Sequence, residues 1–221
     1  MPIRGLLFDF DGLLVDTETP SLASWQEVYL EHGHELPLEL WMTVVGTLDT
    51  WDAHAHLEEL VGPLDREAVQ ERRLARELEL GELEDLRPGI LDYLEEARRL
   101  GLATAIVSSS SRAWIDRNLA RLERAEHFDE IVTADHDPAR AKPEPTLYLE
   151  ALDRLGLAAN EAIAFEDSPN GVAAAKAARL FTVAVPNGVT GSLDLGAADL
   201  VVPSLAELPL GELLRAAAAP S

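Results

Sequence analysis

Six short apolar runs do most to constrain this chain. Residues 3–8, 102–107, 130–133, 162–165, 181–185 and 200–202 are each of strand length and rich in Leu, Ile, Val, Phe or Ala. Such runs, bounded by turn residues, read as buried strands. Between most of them the apolar residues take helical spacing. Ile90, Leu91, Leu94 and Ala97 form one face, opened by Pro88 and stopped by Gly101. Trp114, Ile115 and Leu119 form a second, and Leu147, Leu149, Leu152 and Leu155 a third, stopped by Gly156. Alternation of this kind predicts an α/β fold: a doubly wound parallel sheet with helices on both faces.

The first run breaks the rhythm. After Asp16 no strand pattern returns until residue 102. Leu22, Trp25, Val28 and Tyr29 share one helical face, Leu57, Leu60 and Val61 another, and Leu74 and Leu78 a third. Gly33 and the Val61-Gly62-Pro63 turn separate these helices. The pattern predicts a helical domain, residues 16–85, inserted after the first strand. Residues 1–15 and 86–221 then form the main domain, which the chain re-enters at Leu86-Arg87-Pro88-Gly89. Residues 216–219 read as a fraying helix end.

Composition removes several classes of function. The formal charge is −22, and only Lys142 and Lys176 are lysines. A chain this acidic is repelled by nucleic acid and anionic membranes and attracts divalent cations. The absence of cysteine excludes disulfides, thiolate metal sites and cysteine nucleophiles. No apolar run approaches the ~18 residues of a membrane span. Asp9 comes too early for a signal peptide to precede it. The expectation is a cytoplasmic enzyme, monomeric or weakly dimeric, acting on a small metabolite.

Open parallel sheets bind ligands beyond the carboxyl ends of their strands. Here those ends carry Asp9-Phe10-Asp11-Gly12, then Ser108-Ser109-Ser110-Ser111, then Lys142-Pro143 a few residues past the third run, then Glu166-Asp167-Ser168-Pro169. Each has a plain reading. An Asp-rich turn is usually solvated loop, Ser110 or Ser111 suits a helix cap, and Ser168-Pro169 is a good cap followed by a first-turn proline. Together they carry more. Asp9, Asp11, Glu166 and Asp167 would repel one another unless a hard divalent cation, most commonly Mg²⁺, sat among them. Lys142, the Ser108 hydroxyl and helix-start amides would then face an anion, which describes a phosphate site.

At this point the chain resembles the haloacid dehalogenase superfamily. The resemblance rests on residues 8–18 (FDFDGLLVDTE), Ile106-Val107-Ser108, Lys142-Pro143 and residues 165–171 (FEDSPNG). The likeness is best to the β-phosphoglucomutase and sugar-phosphate phosphatase branch, and residues 16–85 resemble its small cap domain. It implies Asp9 as nucleophile, forming an aspartyl-phosphate, and Asp11 as general acid and base. It implies Mg²⁺ held by the Asp9 side chain, the Asp11 backbone carbonyl and Asp167, with Glu166 either a ligand or a neighbour of one. Ser108 and Lys142 would hold the phosphoryl oxygens.

Departures narrow the activity. Asp11 argues against dehalogenation, and an insertion without lysine argues against Schiff-base phosphonate chemistry. Ser21 stands where the mutase branch carries a cap histidine, and Thr47-Leu48-Asp49 where it carries basic residues. A hydrolase acting on a small phosphomonoester is therefore the expectation, with a sugar phosphomutase as the alternative. A non-enzymatic receiver-like phosphoacceptor is more distant, since the acceptor of such modules lies on a later strand. On the substrate side the candidates are Glu18, Gly46, Asp49, Thr50 and Ser109, with residues 46–51 as a cap turn facing the substrate. Asp49 and Thr50 suit capping the next helix equally well. Trp25 reads as cap core, and His32, His34, His54 and His56 do not read as a metal cluster.

Overall fold

A computed structural model describes residues 2–42 and 51–218. The six apolar runs become one parallel sheet: β1 (Gly5–Phe8), β2 (Ala103–Ser108), β3 (Glu130–Thr133), β4 (Ala162–Glu166), β5 (Phe181–Ala184) and β6 (Leu200–Val201), ordered β3-β2-β1-β4-β5-β6. The chain starts in the middle, winds outward through β2 and β3, then crosses back to β4. That reversal puts the switch point beside β1, where doubly wound sheets hold their ligands. Phe8 is level with Ile106 on one side and Phe165 on the other.

Alternation along the strands sorts side chains to two cores. Leu6, Phe8, Ile106, Ile163 and Phe165 face α5 (Ile90–Leu100), α6 (Arg112–Leu122) and α9 (Leu210–Ala217). Leu7, Ala105, Val107 and Ala164 face α7 (Thr146–Leu155) and α8 (Pro169–Ala177). Gly101 and Gly156 close α5 and α7 in the left-handed conformation, as expected. Pro88 does not open α5. The helix begins at Ile90, capped by left-handed Gly89, so the proline stands one residue outside it.

Among the described residues, 18–81 contain helices and no strand: α1 (Glu18–Glu31), α2 (Leu38–Trp41), α3 (Ala53–Val61) and α4 (Arg66–Gly81). Trp25, Val28, Tyr29, Trp41, Leu57 and Val69 form their common core, so Trp25 is a packing residue. Two faces differ from expectation. Leu57 is buried, but Leu60 and Val61 are 45% and 38% exposed. On α4 the buried positions are Val69 and Arg73, while Leu74 is 44% exposed. Leu74 and Leu78 instead line the cleft below the insertion. Entry and exit of this segment are adjacent: Val15 bridges Leu86, and the Arg87 amide donates to the Leu14 carbonyl (2.9 Å). The next helix, α3, is capped by Asp52, which accepts from the amides of His54 and Ala55. Asp49 and Thr50 are therefore not its caps, and with Gly46 they lie outside the described residues.

Phe165 is the centre of the larger core, fully buried, stacked on Phe8 (4.7 Å between centroids) and edge-on to Tyr93 (5.7 Å). Phe165→Ala is expected to cost about 3–5 kcal/mol, read as a lower denaturation midpoint with an unchanged slope. A loss below about 1 kcal/mol would show that this face of the sheet repacks freely.

Candidate active site

Asp9 is the first residue past β1, and its amide still donates to the Phe165 carbonyl of β4 (3.0 Å). Ser108 closes β2 on one side, and Glu166 and Asp167 close β4 on the other. Lys142 arrives from the segment after β3, its amide held by the Ser109 hydroxyl (3.1 Å). Its ammonium pairs with the Asp9 carboxylate and with Glu166 Oε1 (2.7 Å). Asp9, Ser108, Lys142, Glu166 and Asp167 are all buried.

Close approach governs the floor of the site. A Cβ on Gly171 would lie 1.8 Å from Glu166 Oε2, and one on Gly12 would lie 2.2 Å from Asp167 Oδ2. Any side chain at either position would push a carboxylate out of the cluster. Ser168 caps α8 by accepting from the Gly171 amide (3.2 Å), with Pro169 in the first turn, so it serves as the capping residue its spacing suggested.

The Asp11 carboxylate stands apart from these acids. Oδ1 accepts from the Trp114 indole N–H (2.8 Å), and Oδ2 contacts the hydroxyls of Ser110 (2.6 Å) and Ser108 (3.3 Å). The indole can only donate, so Oδ1 is fixed as an acceptor. Hydroxyls can donate or accept, so Oδ2 is the oxygen free to hold a proton. Ser110 thus serves Asp11, whereas Ser111 caps α6 by accepting from the Trp114 amide (3.3 Å).

Whether these residues suit a cation can be judged from their own balance. Asp9, Glu166 and Asp167 bring carboxylate oxygens within 4.8 Å of one another. With all three acids ionised, one lysine leaves two negative charges, and the buried Glu166 Oε2 has no hydrogen-bond partner. Burial, followed by the neighbouring acids, raises Asp167 well above the usual carboxylate range. Burial raises Asp9 likewise, against the pull of Lys142. Burial opposes the Lys142 charge, but Asp9 and Glu166 outweigh it and keep the ammonium protonated. An all-oxygen set with a two-charge deficit fits a hard divalent ion. The Asp11 side chain is outside this group; its expected ligand atom was the backbone carbonyl. Of the histidines, His32 contacts the Val28 carbonyl and His56 the Tyr29 hydroxyl. Among the described residues no histidine joins an acidic group of metal-binding spacing.

Four contributors escaped the sequence reading. Tyr148 of α7 donates its hydroxyl to Glu166 Oε1. Asn187 donates to Asp167 Oδ2 (2.7 Å) and to the Gly12 carbonyl (3.1 Å). Arg87 donates to the carbonyls of Gly12, Val185 and Pro186. Trp114, read as helix packing, holds Asp11. Only Arg87 carried a hint, standing where the chain re-enters the main domain.

A cleft of about 640 Å³ opens above these groups. Glu18, Ser21, Trp41, Leu74, Glu77 and Leu78 line its insertion side, and Ser109 its floor. Burial raises Glu18 to about 7, with further contributions from Asp11, Asp16 and Glu77. Trp51, expected to face the substrate, packs against the core of the insertion.

Comparison with known proteins agrees with this arrangement. Residues 3–179 match the haloacid dehalogenase-like hydrolase family. YhcW of Bacillus subtilis (strain 168), whose name carries the word phosphatase, is 42% identical over 213 residues, 96% of each chain. Hexitol phosphatase B of Escherichia coli (strain K12) is 31% identical over 220 residues, covering 96% of this chain and 97% of the relative. The crystal structure of CbbY from Rhodobacter sphaeroides in complex with phosphate superposes with a TM-score of 0.73 at 29% identity, over 93% of this chain and 96% of that one. The chain is an enzyme of the hydrolase class and belongs to the haloacid dehalogenase-like hydrolase family.

Proposed function

We propose that the protein is a Mg²⁺-dependent phosphatase that hydrolyses a small phosphomonoester, a sugar or sugar-alcohol phosphate, through an aspartyl-phosphate on Asp9. The observation that carries this is the meeting of Asp9, Lys142, Glu166 and Asp167 at the end of β1, with Asp11 held separately above them. A hexitol phosphatase and a phosphate-bound CbbY among the similar proteins point the same way. In this reading residues 16–85 are a cap domain over a core of residues 1–15 and 86–221. The junction at Val15 and Leu86, and the packing of Val189 against the insertion's core, support that division.

The residues divide the work as follows. An Asp9 oxygen attacks phosphorus while the bond from phosphorus to the alcohol oxygen breaks. Asp11 gives its Oδ2 proton to that oxygen. Water, losing a proton to Asp11, then attacks phosphorus; the bond to Asp9 breaks and phosphate leaves. Lys142 and the Ser108 hydroxyl stabilise the phosphoryl oxygens as charge develops on them. Asp9, Asp167, the Asp11 carbonyl and Glu166 would hold the Mg²⁺, which when bound supplies positive charge to the phosphoryl group. Ser21, a hydroxyl where a mutase-type histidine would stand, favours transfer to water over transfer to a second sugar hydroxyl. The acceptor on the first strand, under an inserted segment, also sets the site apart from a receiver module.

A phosphate-release screen with Mg²⁺ over sugar, polyol and nucleoside monophosphates tests the reading, with sugar or polyol phosphates expected to lead. Asp9→Asn should lower turnover on the order of a thousandfold or more; near-wild-type turnover would remove Asp9 from the mechanism.

Trp114→Phe deletes one donor to Asp11 while keeping most of the ring. It is expected to lower kcat about tenfold, the scale of a hydrogen bond to a charged group, with KM changed much less. An effect confined to KM would place Trp114 in binding instead.

Metal binding has its own signature in stability. The folded pKa values of Asp9 and Asp167 lie above their unfolded ones. The folded metal-free protein therefore retains protons that the unfolded chain releases above about pH 4, so its stability falls as pH rises from there towards neutrality. Mg²⁺ should reverse this. At a hundredfold excess over Kd it adds about 2.7 kcal/mol, roughly 5–10 °C for a chain of this size, and much less near pH 4.5. Asp167→Asn should raise the metal-free Tm at pH 7.5 and abolish most of the Mg²⁺ increment. An unchanged increment would exclude Asp167 as a ligand.

A further inference from the structure

We propose that the cleft admits only phosphomonoesters whose alcohol part carries no second anionic group, and that Glu18 and Glu77 enforce this. The inference rests on the phosphatase reading and narrows its substrate. Lys142 is the one lysine or arginine among the described residues lining the cleft, with His136 at the exposed rim. Its ammonium is already shared between Asp9 and Glu166 and is almost wholly buried. It serves the phosphoryl group undergoing transfer and cannot also meet a second phosphate at the other end of a sugar.

The described residues of the insertion offer no free cation to the cleft. The insertion's basic residues, apart from histidines, are Arg66, Arg72, Arg73 and Arg76. Arg66 pairs with Asp52, Arg72 with Glu31, and Arg76 with Glu27 and Glu79. Arg73 is buried; its guanidinium lies 5.4 Å from the Trp25 ring centroid and bonds Gln70 and Ser24 as well as Glu77. Residues 43–50 read TVVGTLDT, with one acid and no basic residue, so that segment supplies none either.

Where the alcohol part must sit, the lining is acidic and apolar. Glu18 enters from the start of α1 and Glu77 from α4, with Leu74, Leu78 and Trp41 between and around them. Glu77 is held in place by Arg73, which takes its Oε2. Burial, then Asp11, Asp16 and Glu77, raise Glu18 to about 7, so it carries its full charge above neutrality. A second phosphate would meet Glu18, and Glu77 with its Arg73 partner already engaged, with no free lysine or arginine among the described lining residues to receive it, and like charges in juxtaposition reject a ligand strongly. Hydroxyls suit the same place. They donate to carboxylates, and the carbon faces of a sugar or polyol can rest on Leu74 and Leu78. A second phosphate is also what a mutase must hold, since moving a phosphoryl group from Asp9 to a sugar monophosphate creates a bisphosphate.

The test compares kcat/KM for a hexitol 6-phosphate with that for the matching 1,6-bisphosphate, with Mg²⁺ at low ionic strength and at about pH 8.5, where Glu18 is ionised. The monophosphate is expected to lead by about tenfold or more, the scale of one unfavourable charge contact. Added salt should narrow the ratio. Glu77→Gln and Glu18→Gln should each narrow it severalfold, whatever they do to the absolute rate. The bisphosphate should also inhibit monophosphate hydrolysis only weakly. Equal or better turnover of the bisphosphate by the wild-type enzyme overturns the inference while leaving the phosphatase reading intact, and that comparison needs no variant to fold. Absence of Asp9-dependent phosphate release from any monoester would instead overturn the phosphatase reading beneath it.

Discussion

A single ammonium, Lys142, sits between Asp9 and Glu166 with Asp167 alongside, and the rest of the site is arranged around that imbalance. Three carboxylates without it would be an uncompensated buried charge, among the costliest things a fold can contain. With it, the deficit is two charges, a number a divalent cation matches. The supporting contacts follow from this need. Tyr148 and Asn187 each donate to one of the acids, and Gly171 and Gly12 leave room for the carboxylates to stay. The parallel sheet makes the meeting cheap in chain length. Adjacent strands in the same direction deliver their last residues to one edge, so Asp9 and Glu166 arrive side by side although far apart in sequence.

The insertion is tied to the same edge. Arg87, just past its exit, bonds three carbonyls: that of Gly12 in the Asp9 turn and those of Val185 and Pro186 beyond β5. Burial works against its charge and lowers its pKa, with Asp167 and Asp16 opposing that. The contact fixes the exit segment to the floor of the site. The turn that carries the proposed nucleophile thus also anchors the end of the inserted segment.

What could be read from the sequence was what depends on short-range pattern. Strand ends, the Asp9-Phe10-Asp11-Gly12 turn and the glycine stops of α5 and α7 are local, and they stand where the pattern put them. Lys142 was legible because it is one of only two lysines and precedes a proline after a strand. Tyr148, Asn187 and Trp114 were not, because each bonds a carboxylate contributed by a distant segment. A tyrosine at helical spacing looks the same whether its hydroxyl meets water or Glu166. Leu74 and Leu78 show the limit of periodicity from the other side. Their spacing marks an apolar stripe, but a stripe lining a ligand cleft and a stripe facing a core have the same period. Arg73, a charged residue in the buried position of α4, reversed the expected faces because Trp25, Ser24 and Glu77 satisfy it there.

An enzyme of net charge −22 that handles phosphate must separate long-range from short-range electrostatics. At physiological ionic strength the screening length is about 8 Å, so most surface carboxylates act on the substrate only weakly. Within that distance of phosphorus the balance is different. In the proposed mechanism Lys142, the serine hydroxyls and a bound cation would favour the anion undergoing transfer, while Glu18 and Glu77 would disfavour any further one. Acidity in bulk and acidity in the cleft therefore have separate consequences. On the proposed reading the first would draw divalent ions to the protein, and the second would restrict which phosphate ester can use them.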